Sequence, residues 1–223
     1  MKILIAILSC WACELNGDNQ SVRDTWLRDL QPSVDSKFFC GSGYSCFPGS
    51  DKKVCQDDVS VHHDTFVLKT PEAYEYLIPR SQELYKLAYR LGYDFVFKCY
   101  PDTYVDFHML IRSGFEKHDY FGHWLTAPGA SIHKYGCLGG GEGYWLSRKA
   151  LEIISKATPD PEPIGEDTWV GAVLGAAGVS MIDHTGYGSG ITLHGSVEDR
   201  PVDYRPGQYR NQWMRDTYKR LKG

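Results

Sequence analysis

The sequence predicts an α/β fold, a parallel β-sheet with helices on its faces, and three observations predict it. Residues Ile3–Leu8 form a short apolar run followed by a helical pattern, the start of a βα unit. Residues Asp94–Lys98 hold a second run, Phe95-Val96-Phe97, bounded by Gly92 and Pro101 as a buried central strand of a parallel sheet is bounded. That run ends in a polar tip carrying Asp102, and ligands of open α/β sheets gather beyond the carboxyl ends of such strands. A carboxylate there suits a divalent cation and its bound phosphate, although an aspartate after proline also suits an ordinary turn.

The remaining elements follow in order. Asn19–Leu30 sets Val22, Trp26, Leu27 and Leu30 at helical spacing, with Asn19 or Ser21 as cap. Val34–Phe39 reads as the second strand, and Cys40–Asp57, rich in Gly, Ser and Pro, as an irregular excursion beside the site. Thr70 caps a helix with Pro71 in its first turn and Glu72 near its positive end, and Pro79 is expected to kink or restart it. Leu84, Leu87, Ala88 and Leu91 then share one face before Gly92 stops the helix. Phe107–Phe115 reads as a short helix and Tyr120–Trp124 as a strand. A loop over Thr126–Leu138 leads to Gly139-Gly-Gly-Glu-Gly-Tyr-Trp-Leu-Ser147, whose glycines let backbone approach a ligand closely. Ser147 caps a helix through Lys156. Pro159, Pro161 and Pro163 form a linker to a helix carrying Trp169, Val170, Val173 and Leu174, and Val179–Ile182 is the last short strand.

With 223 residues the chain suits one large α/β domain, expected over residues 1–203, and a C-terminal segment over 204–223. A net charge of −4 excludes a broad basic surface for nucleic acid or anionic membrane, so any such contact is local. The C-terminal segment is the place for one: Arg205, Arg210, Arg215, Lys219, Arg220 and Lys222 face a single acid, Asp216, with Tyr204, Tyr209, Trp213 and Tyr218 interleaved. The same pattern fits an amphipathic helix that packs Tyr209, Trp213 and Leu221 on the domain and leaves its arginines in water. Seven cysteines at irregular spacing argue against a complete disulfide framework and for a reducing compartment. Cys10 and Cys13 form a C-x-x-C, which fits a redox pair, half of a zinc site or chance. The opening MKILIAILSC has the flavour of a signal peptide, but Trp11, Glu14, Asn16 and Asp18 follow with no small-residue cleavage site, so it reads as strand one. No transmembrane segment or membrane stem is expected.

Five stretches, in order, resemble one family. They are Ser21-Val-Arg-Asp-Thr-Trp26, Asp64-Thr-Phe-Val-Leu-Lys-Thr70, Phe95-Val-Phe-Lys-Cys-Tyr-Pro-Asp102, Gly139–Ser147 and Glu166-Asp-Thr-Trp-Val-Gly171. The chain is similar in these to the inverting β-1,3-glycosyltransferases, the galactosyl-, N-acetylglucosaminyl- and Fringe-type enzymes. The resemblance implies a GT-A fold, a Rossmann-like nucleotide-binding domain whose mixed, mainly parallel sheet is flanked by helices. It also implies a UDP-sugar donor and Mn²⁺ or Mg²⁺. Carried over residue by residue, it makes Asp102 and His194 metal ligands and Asp167 the general base. Ser9, Arg23, Lys69, Lys98, Tyr100, Asp102, Gly140 and Gly141 become donor contacts, and Glu142 and Glu166 acceptor contacts. Arg23 equally suits a brace for the first helix, Lys69 a strand end and Asp167 a helix N-terminal carboxylate; His62, His63 and His184 read as surface or structural, with His184 the fallback ligand.

The chain departs from the family where Tyr100 and Pro101 stand in place of its first two aspartates, which weakens metal binding and removes the ribose contact unless Tyr100 stacks or hydrogen-bonds instead. The expected activity is metal-dependent, inverting transfer of a hexose or N-acetylhexosamine from a UDP-sugar to a glycan or glycolipid hydroxyl, in a β-1,3 linkage. The missing stem and leader point to the cytosol of a bacterium or a virus-infected cell, with 204–223 a contact for a membrane surface. Two rivals stand beside it: a viral or phage transferase acting on hydroxymethylated bases in DNA through 204–223, and an inactive nucleotide-sugar-binding module.

Overall fold

Strand β1 (Ile3–Leu8) sets the layers of the molecule. Successive side chains of a strand point to opposite faces, and all six here are buried. Leu4, Ala6 and Leu8 enter one core; Ile3, Ile5 and Ile7 enter the other. A strand buried on both faces belongs in the middle of a sheet, as it does here.

The computed structural model describes residues 1–46, 53–55, 61–124, 135–159, 165–187, 190–194 and 208–222. After β1 come α1 (Trp11–Leu15), α2 (Asp18–Asp24), a 3-10 turn over Trp26–Asp29, β2 (Val34–Ser42), a hairpin of β3 (Tyr44–Cys46) and β4 (Lys53–Cys55), β5 (Thr65–Pro71) and α3 (Leu77–Arg90). Then follow β6 (Phe95–Cys99), β7 (Thr103–Val105), α4 (Phe107–Ile111), β8 (Tyr120–Gly122), β9 (Tyr144–Ser147) and α5 (Arg148–Lys156). The last elements are α6 (Glu166–Ala176), β10 (Met181–Asp183), β11 (Thr192–His194) and α7 (Gln208–Lys222).

The main sheet has seven strands in the order β10-β8-β9-β6-β1-β2-β5. Strands β5, β2, β1 and β6 run parallel, β9 runs antiparallel to both β6 and β8, and β10 is parallel to β8. The fold is therefore α/β with a mixed, mainly parallel sheet. Helices α3, α5 and α6 cover one face with Leu84, Leu151 and Val170; Trp26, Phe107, Leu110 and Met214 cover the other.

Several elements differ from the sequence expectation, each for a local reason. The helix over Asn19–Leu30 stops at Asp24, where Thr25 turns its hydroxyl onto the Ser21 carbonyl at 2.6 Å and leaves helical dihedrals. Gly17, in a left-handed conformation, precedes that helix in place of Asn19 or Ser21. Thr70 and Pro71 finish β5 instead of opening a helix; Glu83 of α3 accepts the Lys69 and Thr70 N–H groups and the Thr70 hydroxyl. Helix α3 starts at Leu77, so Pro79 falls in its first turn, where no N–H is needed, and α3 runs unbroken to Arg90. Tyr144–Ser147, read as part of a glycine stretch, is a strand. The last strand of the main sheet is Met181–Asp183, and β7 and β11 form a further small pair.

Helix α7 packs on α2 and the 3-10 turn. Met214, Thr217 and Asn211 are buried, Trp213 and Tyr218 half-buried, and Leu221, expected in the contact, is exposed. The Asn211 amide donates to the Asn16 carbonyl at 2.8 Å, Lys222 pairs with Asp29 at 3.0 Å and Arg215 with Asp24 at 3.4 Å. Residues 47–52 and 56–57 of the Cys40–Asp57 reading, residues 126–134 of the Thr126–Leu138 reading, Pro161, Pro163, Tyr204 and Arg205 lie outside the described residues. Among the described residues no helix is long and apolar enough to cross a membrane.

Candidate active site

Strand pairing brings four segments to one edge. Strand β6 is in register with β1 and ends at Cys99, so Tyr100, Pro101 and Asp102 emerge at the carboxyl edge of the parallel strands. Strand β9 runs the other way with Tyr144 opposite Lys98, so the Gly139–Gly143 turn enters at that same edge. His194 lies opposite Thr103 in the β11–β7 pair, which sets its ring beside Asp102. Helix α6 begins at Glu166 and contributes two successive carboxylates.

Those two carboxylates have unlike surroundings. The Glu166 and Lys98 side chains are fully enclosed and form an ion pair at 2.7 Å. Tyr85 donates its hydroxyl to the other Glu166 oxygen at 2.7 Å, and Tyr144 donates to it as well. Burial pushes the Glu166 pKa up, but the Lys98 charge and these donors outweigh it and hold the group below the usual carboxylate range. Asp167 accepts the Thr168 N–H at 2.9 Å and the Gly140 N–H at 3.3 Å. Burial and the Glu166 charge raise its pKa against the pull of Lys98, so its affinity for a proton exceeds that of an ordinary aspartate. One carboxylate is thus held ionised and its neighbour suited to accepting a proton.

The glycine turn fits between these groups because it lacks side chains. A Cβ on Gly140 would stand 2.9 Å from Lys98 Nζ, 3.3 Å from Tyr100 and 3.5 Å from Asp167. A Cβ on Gly141 would stand 3.1 Å from the His194 ring. Thr103 donates its hydroxyl to the Gly141 carbonyl at 2.6 Å and fixes the turn from below. Tyr100 lays its ring under Lys98 Nζ at 3.5 Å and points its hydroxyl at Glu166, 3.4 Å away. Pro101 is buried.

Asp102 Oδ1 and His194 Nε2 are 3.5 Å apart; the side chains are 19% and 33% exposed, with Asp102 Oδ1 itself buried. Among the described residues no group of three or more His, Cys, Asp and Glu side chains is placed to hold a metal. A carboxylate oxygen and an imidazole nitrogen fit a divalent cation that takes its remaining ligands from phosphate and water.

The structure thus gathers Lys98, Tyr100, Asp102, Gly140, Gly141, Glu166, Asp167 and His194. Lys98 and Glu166, expected to touch donor and acceptor, are buried, and face each other and the tyrosines. Ser9, expected as a nucleotide contact, is buried and donates its hydroxyl to Asn19 at 2.6 Å. The Arg23 guanidinium is engaged by Glu14 at 2.7 Å and Asp64 at 2.9 Å, which is the bracing role. Lys69 is exposed on β5, three strands from β6, roughly 14 Å at ordinary strand spacing. Glu142 is half-buried and folds its carboxylate toward Gly139. His184 is structural, its Nδ1 accepting the Gly186 N–H at 3.0 Å and its ring against Phe121 and Tyr187. Tyr85 and Thr103 were missed; Tyr85 sits on the buried helix face that Leu84 and Ala88 mark, and Thr103 had no signal beyond its place after Asp102. No family model matches the chain, and no curated protein matches it.

Proposed function

We propose that the protein is a metal-dependent, inverting glycosyltransferase of GT-A fold that transfers a hexose or N-acetylhexosamine from a UDP-sugar to a glycan or glycolipid hydroxyl. The observation that carries the reading is the placement of Asp102 with His194, and of Asp167, around one glycine turn at the carboxyl edge of the sheet. Asp167 takes the proton from the acceptor hydroxyl as its oxygen attacks the anomeric carbon opposite the leaving UDP. The bond to the sugar forms on one face while the bond to the diphosphate breaks on the other, which inverts the configuration. Asp102 and His194 would hold Mn²⁺ or Mg²⁺, which when bound neutralises charge growing on the diphosphate. The buried Lys98–Glu166 pair and Tyr100 keep the turn and Asp167 in place.

A DNA acceptor draws less support. Arg215 and Lys222 of α7, two of the cations that suggested it, are paired with Asp24 and Asp29. Cytosolic action on a lipid-linked or free glycan fits the reading, and residues 1–203 are its catalytic unit.

The test is calorimetric titration of UDP, with Mn²⁺ and with EDTA, joined to turnover of UDP-sugars. Expected are metal-dependent UDP binding that Asp102→Ala removes, and turnover that Asp167→Asn lowers by about 10²–10⁴-fold while UDP still binds. Turnover that survives Asp167→Asn would overturn the assignment of the base; UDP binding without any turnover would favour the binding-module reading.

A further inference from the structure

Cys10 and Cys13 stand at the turn from β1 into α1, at the sheet edge that holds the candidate site and outside its constellation. The two Sγ atoms are 3.3 Å apart, and the Cys10 Sγ also accepts the Cys13 N–H at 3.4 Å. A disulfide bond is about 2.05 Å long, so an approach of about 1.3 Å would join sulfurs that already face each other. Both residues are partly exposed, whereas Cys40, Cys99 and Cys137 are buried.

The groups around the pair separate its reactivity from that of its neighbours. The hydrogen bond from Cys13, with a smaller contribution from the Arg80 charge, overcomes burial and lowers the Cys10 thiol to about 7. Burial and the nearby Glu72 carboxyl instead push the Cys40 thiol well up, and burial does the same to Cys99. The thiolate is the form that attacks a disulfide.

We propose that Cys10 and Cys13 form a thiol–disulfide exchange site that reacts with small-molecule disulfides of the glutathione type and closes to an intramolecular disulfide. The Cys10 thiolate attacks one sulfur of the small disulfide, forming a mixed disulfide and expelling one thiolate. Cys13, deprotonated, then attacks the Cys10 sulfur and expels the second thiolate. Two protein thiols are oxidised, one disulfide is reduced to two thiols, and the protons pass to solvent or to the departing thiolates. An excess of the small thiol runs the sequence backwards. This inference stands independently of the glycosyl-transfer reading.

The full chain, incubated at pH 7 with oxidised glutathione and mapped by differential alkylation and peptide mass spectrometry, tests it. Expected is a Cys10–Cys13 linkage that reduced glutathione reverses. Cys13→Ser should trap one glutathionyl group on Cys10, because the thiol that would expel it is gone, at a rate no longer raised above that of an ordinary exposed thiol, since the Cys13 thiol hydrogen bond is lost as well. Cys10→Ser should leave Cys13 reacting no faster than such a thiol. Wild-type protein that keeps Cys10 and Cys13 alkylatable, or links either to another cysteine first, would overturn the proposal. The wild-type measurement stands even where a serine variant fails to fold.

Discussion

Glu166 and Asp167 are neighbours in the sequence, yet one is enclosed with Lys98 and the other stands at the edge of the glycine turn. A helix turns by about 100° per residue, so adjacent side chains face different surroundings, and a motif gives the pair without saying which member is buried. That is why the sequence placed both at the substrate. Breaking a buried ion pair leaves an uncompensated charge, so Lys98→Met is expected to cost about 3–5 kcal/mol in urea unfolding, while removing both charges in Lys98→Met with Glu166→Gln should cost less than twice that. The raised pKa of Asp167 gives a pH dependence of definite sign. As the proposed base, Asp167 would work only when deprotonated, so the rate is expected to be full above its pKa and to fall as pH drops through it, at a higher pH than an ordinary aspartate would give. A pH–rate profile checks this; an acid limb at the ordinary aspartate value would remove Asp167 from the role.

Elements with a long regular pattern were legible: β1, β2, β6 and the second half of α3 were read from apolar runs and helical spacing. Strand β9 was not, because four residues buried on both faces show no alternation and the glycines before them suggest a loop. Strands β7 and β11 are three residues each, too short for any period, so the placement of His194 beside Asp102 rested on resemblance alone. The turn before β9 carries its own prediction. Gly141→Ala would set a methyl 3.1 Å from the His194 ring, which must then give by a few tenths of an ångström and disturb its setting beside Asp102. Metal-dependent UDP affinity should fall about tenfold, the equivalent of about 1.4 kcal/mol, with the unfolding midpoint little changed. An unaltered affinity in calorimetry would separate His194 from the metal.

Over the whole molecule, the C-terminal segment was ambiguous because basic and aromatic residues serve a ligand contact and a packed amphipathic helix equally well. Helix α7 does pack against α2: Met214 belongs to the same core as Trp26 and Tyr104, with Trp213 and Tyr218 packed against it. Ending the chain at residue 207 should therefore lower stability by several kcal/mol, since a buried methionine alone is worth about 1.5–3 kcal/mol. Thermal unfolding checks it; an unchanged midpoint would mean that α7 is dispensable to the core.

The pairing of β1 with β6 joins residues some ninety positions apart, and β7 with β11 spans a similar separation. Contacts this distant in sequence close late, because the loops between them must first give up their freedom. The constellation is thus also a kinetic reporter: Asp102 and His194 meet only when the β7–β11 closure is complete, so a chain arrested before that point lacks their pairing even where β1 and β6 have joined.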